Sequence, residues 1–191
     1  MPLSQQLAGV RVRAITCTGL SIGSSFAVAP TTLVTNRHVV AGARQLQLDT
    51  ATGQSVPVAV AGAAYVADLA IVRTATPVSP VLTLAPSDPA VGAAVTVVGY
   101  PQGGVITTTS GRILAYAPDP LGATPGRVLV TDAYATHGNS GGPLLDAVGR
   151  VVGVVYAADS QGHSLAIPVS TLRPFLSNGR ALGPVPPCGQ R

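Results

Sequence analysis

The stretch that narrows the fold most is the loop at residues 137–143, His137-Gly138-Asn139-Ser140-Gly141-Gly142-Pro143. Small residues surround a single hydroxyl there, that of Ser140. Glycine adopts backbone angles that other residues avoid, so such a loop can turn successive N–H groups toward one point. An ordinary turn has the same composition, because Asn, Ser, Gly and Pro are the usual turn residues. The loop alone therefore indicates a candidate nucleophile that needs partners elsewhere in the chain.

Short, β-branched apolar segments lie on both sides of this loop, separated by turn residues such as Thr52-Gly53 and Val148-Gly149. No helix longer than a few turns is predicted. The predicted strands are Thr31–Thr35, Val56–Val60, Leu69–Val72, Ala94–Gly99, Arg127–Val130 and Val151–Tyr156. Strands at this spacing predict an all-β antiparallel sandwich or barrel.

The chain has 191 residues, of which 47% are hydrophobic, and this suits one compact domain. A two-barrel organisation would place an N-terminal barrel at about 8–86 and a C-terminal barrel at about 90–168. The link between them would lie near Pro86-Ser87-Asp88-Pro89. The segment Ser170–Leu176 predicts a short helix with Ser170 as its N-cap, followed by a Pro-rich tail that completes 170–191.

Charge and composition exclude several classes of function. The net charge of +4 comes from scattered arginines without a basic run, and aromatic residues make up only 4%. Nucleic-acid binding needs clustered basic residues with interleaved aromatics, so no nucleic-acid partner is expected. No apolar stretch is long enough to span a membrane, and Met1–Gln6 does not resemble a signal peptide. The chain is either a cytosolic protein or a mature domain cut from a longer precursor, and we expect the second.

The two cysteines, Cys17 and Cys188, lie near opposite ends of the chain. A disulfide between them would close nearly the whole chain into one loop, which stabilises by about 4–5 kcal/mol in loop-entropy estimates. Two free thiols are the alternative. A disulfide would indicate an oxidising compartment.

A serine that hydrolyses peptides needs a base to take its proton and an acid to orient that base. His38 follows a predicted strand at the point where the chain turns, and Asp68 borders the apolar run Leu69–Val72. Each has an ordinary explanation, since a lone histidine is more often structural and an aspartate at a strand end is common. The order His38, Asp68, Ser140, each in a suitable local context, is much more specific.

These stretches resemble the trypsin-like serine peptidases, and more closely their bacterial HtrA-type branch. The likeness runs from about Ile22 to Leu176. The stretches that carry it are Thr35-Asn36-Arg37-His38-Val39-Val40, Asp68-Leu69-Ala70-Ile71-Val72, Gly99-Tyr100-Pro101-Gln102-Gly103-Gly104, Thr109-Ser110-Gly111, Gly138-Asn139-Ser140-Gly141-Gly142-Pro143-Leu144, Gly153-Val154-Val155 and Leu165-Ala166-Ile167-Pro168.

The resemblance implies a chymotrypsin-like fold of two antiparallel six-stranded β-barrels with a short C-terminal helix. It implies an endopeptidase acting on protein or peptide substrates without metal or organic cofactor. Ser140 would be the nucleophile, His38 the general base and then acid, and Asp68 the residue that orients His38. The oxyanion hole would be the loop Gly138, Asn139, Ser140, with the N–H groups of Gly138 and Ser140 as donors.

The resemblance also suggests a specificity pocket and a mode of control. The family's pocket base lies six positions before the nucleophile, at Tyr134, where no carboxylate stands. We expect a neutral, shallow pocket that prefers small or medium apolar residues. Its expected lining is Tyr134, Ala135, Tyr156 and Ala157, with His137 at a subsite. Asn139 replaces the aspartate that pairs with a new N-terminus in digestive relatives, so activation through that ion pair is not expected.

A protease domain with terminal cysteines and no PDZ domain after it is similar to the membrane-anchored, periplasmic acid-resistance proteases of the MarP type. The expected setting is extracytoplasmic, periplasmic or secreted, with a membrane anchor upstream of Met1 as one form. The expected role is protein quality control or a stress or acid response.

Two other functions stay open from the sequence. One is a non-catalytic or latent binding module on the same fold, which an unformed oxyanion loop would produce. The other is an esterase of the α/β-hydrolase class, whose Gly-x-Ser-x-Gly elbow matches residues 138–142. The order His, Asp, Ser and the scarcity of helices argue against the esterase.

Overall fold

A computed structural model describes residues 3–64, 67–122, 124–159, 161–177 and 182–184. Strands dominate it, and they form two antiparallel sheets, the first from the N-terminal half of the chain together with the last strand, and the second from the strands between them. One sheet is a closed barrel and the other is nearly closed. The predicted fold class, an all-β chymotrypsin-like fold with a short C-terminal helix, is confirmed.

The first sheet contains eight strands in the order β14-β6-β7-β3-β2-β1-β4-β5. Six were expected, and the two additional strands, β5 and β14, are short and lie at the two ends of the sheet. The strands are β1 Gly9–Thr16, β2 Gly19–Ala29, β3 Thr32–Thr35, β4 Ala43–Thr50, β5 Ser55–Val56, β6 Val58–Ala64, β7 Ala70–Thr74 and β14 Leu182–Pro184.

The second sheet closes on itself in the order β10-β13-β12-β11-β8-β9, so the six-stranded barrel predicted here is observed. Closure of the barrel pairs both edges of every strand, so no strand edge is left unpaired. Its strands are β8 Ala94–Gly99, β9 Thr107–Pro118, β10 Arg127–Thr131, β11 Pro143–Asp146, β12 Val151–Ala158 and β13 Ser164–Pro168.

The predicted strands overlap β3, β5, β6, β7, β8, β10 and β12, whereas β1, β2, β4, β9, β11, β13 and β14 were not predicted. Two of the differences are instructive. Val56–Val60 is divided at Pro57 into β5 and β6, because proline has no N–H to donate to a ladder. The twelve-residue strand β9 was not predicted, since its first half, Thr107–Gly111, is polar and largely open to solvent. Strand β8, by contrast, has the predicted bounds.

The helices are short, and among the described residues none is both long and apolar enough to cross a membrane. They are α1 Leu3–Gln6, α2 Arg37–Val40, a 3-10 turn Pro101–Gly103 and α3 Val169–Ser177. The predicted N-cap is wrong, because α3 begins at Val169, before Ser170. The Ser170 N–H instead donates to the Asp88 carboxylate at 2.9 Å, so a residue of the interbarrel connection holds the helix start.

Three clusters of buried side chains hold the molecule together. One fills the first barrel around Val12, Leu33 and Leu48, and another fills the second around Ile113 and Leu129. The third contains side chains of both barrels, among them Phe26, Leu69, Leu145, Ile167 and Leu172. Each such side chain, fully buried, contributes about 1.5–3 kcal/mol. The shared cluster therefore holds the two barrels against each other.

The connection between the barrels runs from residue 75 to residue 93 and bonds to both. The Leu82 N–H donates to Ala27 in β2 at 2.8 Å, and the Ala85 N–H donates to Val151 in β12 at 2.8 Å. The predicted link Pro86–Pro89 lies within this connection. The predicted domain bounds remain predictions. Cys188 lies outside the described residues, so its pairing with Cys17 also remains a prediction.

Candidate active site

His38 and Asp68 lie on neighbouring elements of the first sheet. Strand β3 pairs with β7 so that Thr35 faces Ala70. The residues just after Thr35 and just before Ala70 therefore leave the sheet at the same end. His38 is on helix α2, which begins two residues after Thr35, and Asp68 precedes β7 by two residues. The order of the strands thus brings together two side chains that are thirty positions apart.

The Asp68 carboxylate holds His38 at two points. Its Oδ2 lies 2.5 Å from His38 Nδ1, and its Oδ1 accepts the His38 backbone N–H at 2.9 Å. The buried amide of Asn36 supports the pair, since its Nδ2 donates to the Asp68 carbonyl at 2.7 Å. With Nδ1–H directed at the carboxylate, Nε2 of the neutral ring is the nitrogen that can accept a proton.

Ser140 lies in the loop between β10 and β11, which backbone hydrogen bonds fold tightly. The Asn139 N–H donates to Thr136 at 3.0 Å, the Gly141 N–H to Val155 at 2.7 Å and the Gly142 N–H to Asn139 at 2.9 Å. Gly138 has φ of +96°, and a Cβ there would lie 2.3 Å from the Tyr100 carbonyl oxygen. Only glycine fits this position without strain or collision.

Of the three N–H groups in the predicted oxyanion loop Gly138–Ser140, those of Gly138 and Ser140 have no acceptor among the described residues. The His137 carbonyl accepts the Gln102 N–H at 2.6 Å. A trans peptide directs its carbonyl and its N–H to opposite sides, so the Gly138 N–H is turned away from Gln102. The Asn139 N–H, expected as part of the oxyanion loop, is already bonded to Thr136. The two N–H groups that the sequence analysis named as donors are therefore the two of this loop that remain available to an anion.

Because Gly23 has no side chain, helix α2 with His38 and the loop with Ser140 can approach each other closely. A Cβ on Gly23 in β2 would lie 2.6 Å from the Val39 side chain and 2.9 Å from the Ser140 carbonyl oxygen. Helix α2 and the Ser140 loop thus pack on the same glycine. The Ser140 hydroxyl itself donates to the Tyr156 carbonyl at 3.2 Å, and among the described residues it makes no hydrogen bond to His38.

A cavity of about 500 Å³ opens beside Ser140. Four of the residues expected to bind substrate line it: Tyr134, Ala135, His137 and Ala157. Tyr156 is the exception. Its ring is buried and its hydroxyl donates to Asp119 at 2.6 Å, and burial together with this bond raises the pKa of the phenol.

The cavity also contains a carboxylate that the sequence analysis did not identify, that of Asp159. Its Oδ2 lies 3.0 Å from His163 Nδ1, and its Oδ1 accepts the N–H groups of Gln161 and His163 at 2.8 and 2.9 Å. Desolvation raises the pKa of Asp159, but these hydrogen bonds outweigh it and hold that pKa below its usual range. The expected neutral pocket therefore has one acidic group, which is already paired.

Together these residues supply what acyl transfer to a serine needs: a hydroxyl, a nitrogen base fixed by a carboxylate, and two free amide donors. Within the described part of the chain, no three His, Cys, Asp or Glu side chains cluster so that they could hold a metal ion. Ser24 and Gln102, which contact the serine loop, were not predicted as site residues. A buried serine within a strand was the available signal for Ser24.

The chain is similar to known proteins in sequence and in fold. Residues 23–154 match the family described as trypsin-like peptidase domain. The mitochondrial serine protease HTRA2 of Bos taurus is 39% identical over 168 residues, which cover 84% of this chain and 36% of that protein. The serine protease Rv3671c of Mycobacterium tuberculosis (strain H37Rv) is 33% identical over 160 residues, covering 78% of this chain and 40% of that protein.

The crystal structure of the Rv3671c protease in its active form superposes with a TM-score of 0.81 at 28% identity. It covers 97% of this chain and 85% of that one. The inactive form of the same protease gives a TM-score of 0.77 at 28% identity, covering 91% of this chain and 89% of that one. The chain spans well under half the length of the two curated relatives, 36% of one and 40% of the other. The chain belongs to the trypsin-like peptidase family, in its HtrA-type branch.

Proposed function

We propose that this chain is the catalytic domain of a serine endopeptidase in which Ser140 attacks the carbonyl carbon of a peptide bond. One observation carries the proposal. The His38–Asp68 pair, joined at 2.5 Å, packs through α2 and Gly23 against a loop that offers a hydroxyl and two unpaired amides. Each of these groups has a distinct part in acyl transfer.

In the proposed reaction, His38 Nε2 takes the Ser140 proton as Oγ bonds to the substrate carbonyl carbon. The resulting oxyanion accepts hydrogen bonds from the N–H groups of Gly138 and Ser140. Asp68 keeps Nδ1–H in place and stabilises the imidazolium. The imidazolium then protonates the leaving amine and the peptide bond breaks, which leaves an acyl group on Ser140. A water molecule, deprotonated by His38, hydrolyses this ester and restores the hydroxyl.

We further propose that the substrate is a protein or peptide whose cleaved residue enters the cavity beside Ser140. Ala135 and Ala157 give the walls little bulk, and Tyr134 lies at its edge with 59% of its surface exposed. Both carboxylate oxygens of Asp159 are already hydrogen-bonded, one to the His163 ring and the other to two backbone N–H groups. We therefore expect a preference for small or medium apolar residues, with basic residues second.

A fluorophosphonate probe tests the proposed function directly, because it forms a stable bond only with an activated serine. We expect labelling of the wild-type protein and its complete loss in Ser140→Ala. Ser170→Ala, which changes an exposed serine at the start of α3, is the matched control and should label like the wild type. A folded wild-type protein that is not labelled, or labelling that survives Ser140→Ala, would contradict the proposal.

A latent or non-catalytic binding module is the second candidate, and one observation favours it. The Ser140 hydroxyl donates to the Tyr156 carbonyl rather than to His38, so the proton-transfer contact is not made. The Gly138 N–H, which is turned away from Gln102 and has no acceptor among the described residues, argues for the active form. A latent protein would label only after a peptide is added, whereas an active one labels at once and a binding module never does.

We also propose that the full protein acts outside the cytoplasm, in protein quality control or in a stress or acid response. The HtrA-type likeness and the predicted Cys17–Cys188 disulfide support this setting. A MarP-type anchor upstream of the domain is part of the proposal. Fusion of the native gene to alkaline phosphatase, which is active only when exported, tests it, and an inactive fusion made in normal amounts would refute it.

A further inference from the structure

Ser24 is a polar residue buried completely at the contact between the barrels. It lies in β2, directly after Gly23, and has no exposed surface. A buried hydroxyl must find hydrogen-bond partners, because leaving it unpaired costs free energy. Where its partners lie therefore indicates which part of the molecule requires it.

The partners of Ser24 lie mainly in the second barrel and the serine loop. Its Oγ donates to the Gly138 carbonyl at 2.7 Å and accepts the Tyr100 N–H at 3.0 Å. Its backbone N–H donates to the Ser140 carbonyl at 2.7 Å. Its own carbonyl accepts the Thr35 hydroxyl at 2.7 Å, three residues before His38. One residue thus contacts the loop on both sides of Asn139 and the segment that leads to His38.

The Ser24 hydroxyl acts on the Gly138–Asn139 peptide, which directly follows the peptide that carries the Gly138 N–H. Gly138 is free to rotate about both backbone bonds, since glycine has no Cβ to restrict it. The peptide before it is held by Gln102, through the 2.6 Å bond to the His137 carbonyl. The peptide after it is held by the Ser24 hydroxyl. With both neighbouring peptides fixed, the direction of the Gly138 N–H is fixed as well.

The packing around Ser24 is too tight for the Ser140 loop to take another position. A Cβ on Gly141 would lie 2.2 Å from the Ser24 carbonyl oxygen, and one on Gly99 would lie 3.0 Å from Ser24 Oγ. Strand β2, the end of β8 and the serine loop meet here backbone to backbone. The hydroxyl is the only side-chain group of Ser24, so its removal deletes two hydrogen bonds and little volume.

We infer that Ser24 is a positioning residue for the oxyanion hole: its hydroxyl, which accepts the Tyr100 N–H, fixes the Gly138–Asn139 peptide, and this restricts rotation at Gly138 so that the adjoining Gly138 N–H faces the substrate carbonyl. The inference rests on the proposed peptidase function and adds a residue of the first barrel to the machinery of the second. The Ser24 side chain makes no hydrogen bond to the Ser140 hydroxyl, and its hydrogen bond to the serine loop is the one to the Gly138 carbonyl.

The test compares Ser24→Ala with Ser25→Ala. Ser25 is the neighbouring residue, equally buried, and its hydroxyl donates to the Val10 carbonyl at 3.1 Å inside the first barrel. Both variants lose one buried serine hydroxyl, and only Ser24→Ala frees Gly138. Ser24→Thr keeps the hydroxyl and serves as the rescue variant. If Ser24→Ala does not fold, Ser24→Cys replaces it, since a thiol fills the space but donates only weakly.

We expect Ser24→Ala to lower kcat on a peptide substrate by about 10-fold to 100-fold with KM little changed, because removing an oxyanion donor outright costs about 100-fold to 1000-fold. Affinity for a peptide boronic acid, whose serine adduct is tetrahedral, should fall in proportion. Ser25→Ala should keep wild-type kcat despite a similar loss of thermal stability, and Ser24→Thr should recover most of the lost kcat.

Two results would overturn the inference while leaving the proposed function intact. One is a labelled, active wild type whose Ser24→Ala variant keeps its kcat. The other is an equal loss of kcat in Ser24→Ala and Ser25→Ala, which would indicate a structural role only. A wild type that neither cleaves nor labels would contradict the proposed function itself, and the role of Ser24 with it.

Discussion

The two halves of the site are held in different ways. In the first barrel, one carboxylate fixes both the ring and the backbone of His38. In the second barrel, the Ser140 loop is held by backbone hydrogen bonds, by close packing at glycines and by the Ser24 hydroxyl of the first barrel. The Ser140 hydroxyl itself donates to the Tyr156 carbonyl. The base is thus set locally by a side chain. The geometry of the nucleophile depends on contacts between the barrels.

The largest expected effect comes from the locally held half. Asp68→Asn should lower kcat by about 10,000-fold, because an amide no longer selects the His38 tautomer with Nε2 free. The chain offers a matched control in its other His–Asp pair, His163 and Asp159, whose atoms lie 3.0 Å apart. Asp159→Asn should keep kcat within a few-fold in the same peptide assay. Equal losses of kcat in Asp68→Asn and Asp159→Asn would contradict a specific catalytic part for the His38–Asp68 pair.

The second effect tests the half that is held by backbone. Gly138→Ala should lower kcat by about 100-fold to 1000-fold, since its methyl group displaces the loop from Tyr100 and an oxyanion donor is lost. Gly126→Ala is the control. Gly126 also has a positive φ, +90°, but nothing lies within 4 Å of its Cβ position. Gly126→Ala should lower the free energy of unfolding by about 1–2 kcal/mol from backbone strain alone and leave kcat unchanged.

The third prediction concerns stability and pH in the first barrel. Asp49 is buried and accepts hydrogen bonds from Ser55, Gln47 and Arg11. Burial raises the pKa of Asp49, but these bonds outweigh it and lower the pKa below its usual value. The ionised carboxylate therefore stabilises the folded state at neutral pH. That contribution is lost as pH falls below about 4 toward the lowered pKa.

Asp49→Asn should lower the free energy of unfolding at pH 7 by about 1–3 kcal/mol, and the difference from wild type should shrink below about pH 4. Urea unfolding at several pH values measures both. Asp146→Asn, in a pair whose Arg150 side chain is exposed and whose carboxylate is partly exposed, should cost less than about 1 kcal/mol. A difference that grows on acidification would contradict the assigned direction of the pKa.

The smallest expected effect is on specificity. A peptide library should give small and medium apolar residues at the cleaved position, with arginine and lysine in a minority. Asp159→Asn should reduce that basic minority by about 10-fold at most, because the carboxylate is already paired with His163 and partly screened by solvent. A wild-type profile dominated by arginine and lysine would show that Asp159 sets the preference.

The sequence predicted the fold class and the His38–Asp68–Ser140 set because each depends on local patterns and chain order. The alternating apolar runs and the glycines around Ser140 are visible in the sequence. The polar strand β9 was missed because its exposed first half lacks an apolar pattern. Ser170 was predicted as the N-cap, but α3 begins one residue earlier, at Val169. The carboxylate that bonds to the first turn of the helix is that of Asp88, eighty-two positions away, which local sequence does not reveal.

The remaining site residues could not be predicted because their roles come from pairing across the barrels. Ser24 meets Gly138 from 114 positions away, and Gln102 meets the His137 carbonyl only once β8 and β10 are in the same barrel. Asp159 lies nineteen positions after Ser140 and reaches the cavity only through the fold of the second barrel. Tyr156 was expected in the lining, whereas its hydroxyl bonds to Asp119.

Because Tyr134 lines the cavity beside Ser140, binding in that cavity can be followed by the intrinsic fluorescence of the protein. The chain has five tyrosines and no tryptophan, so its ultraviolet emission comes from phenol rings alone. Among the tyrosines that the structure describes, only Tyr134 lines the cavity beside Ser140, while Tyr100 and Tyr156 are buried. A ligand that enters the cavity changes the solvent around that one exposed ring. Occupancy can therefore be followed by fluorescence in the unlabelled protein, even in a Ser140→Ala variant that performs no chemistry.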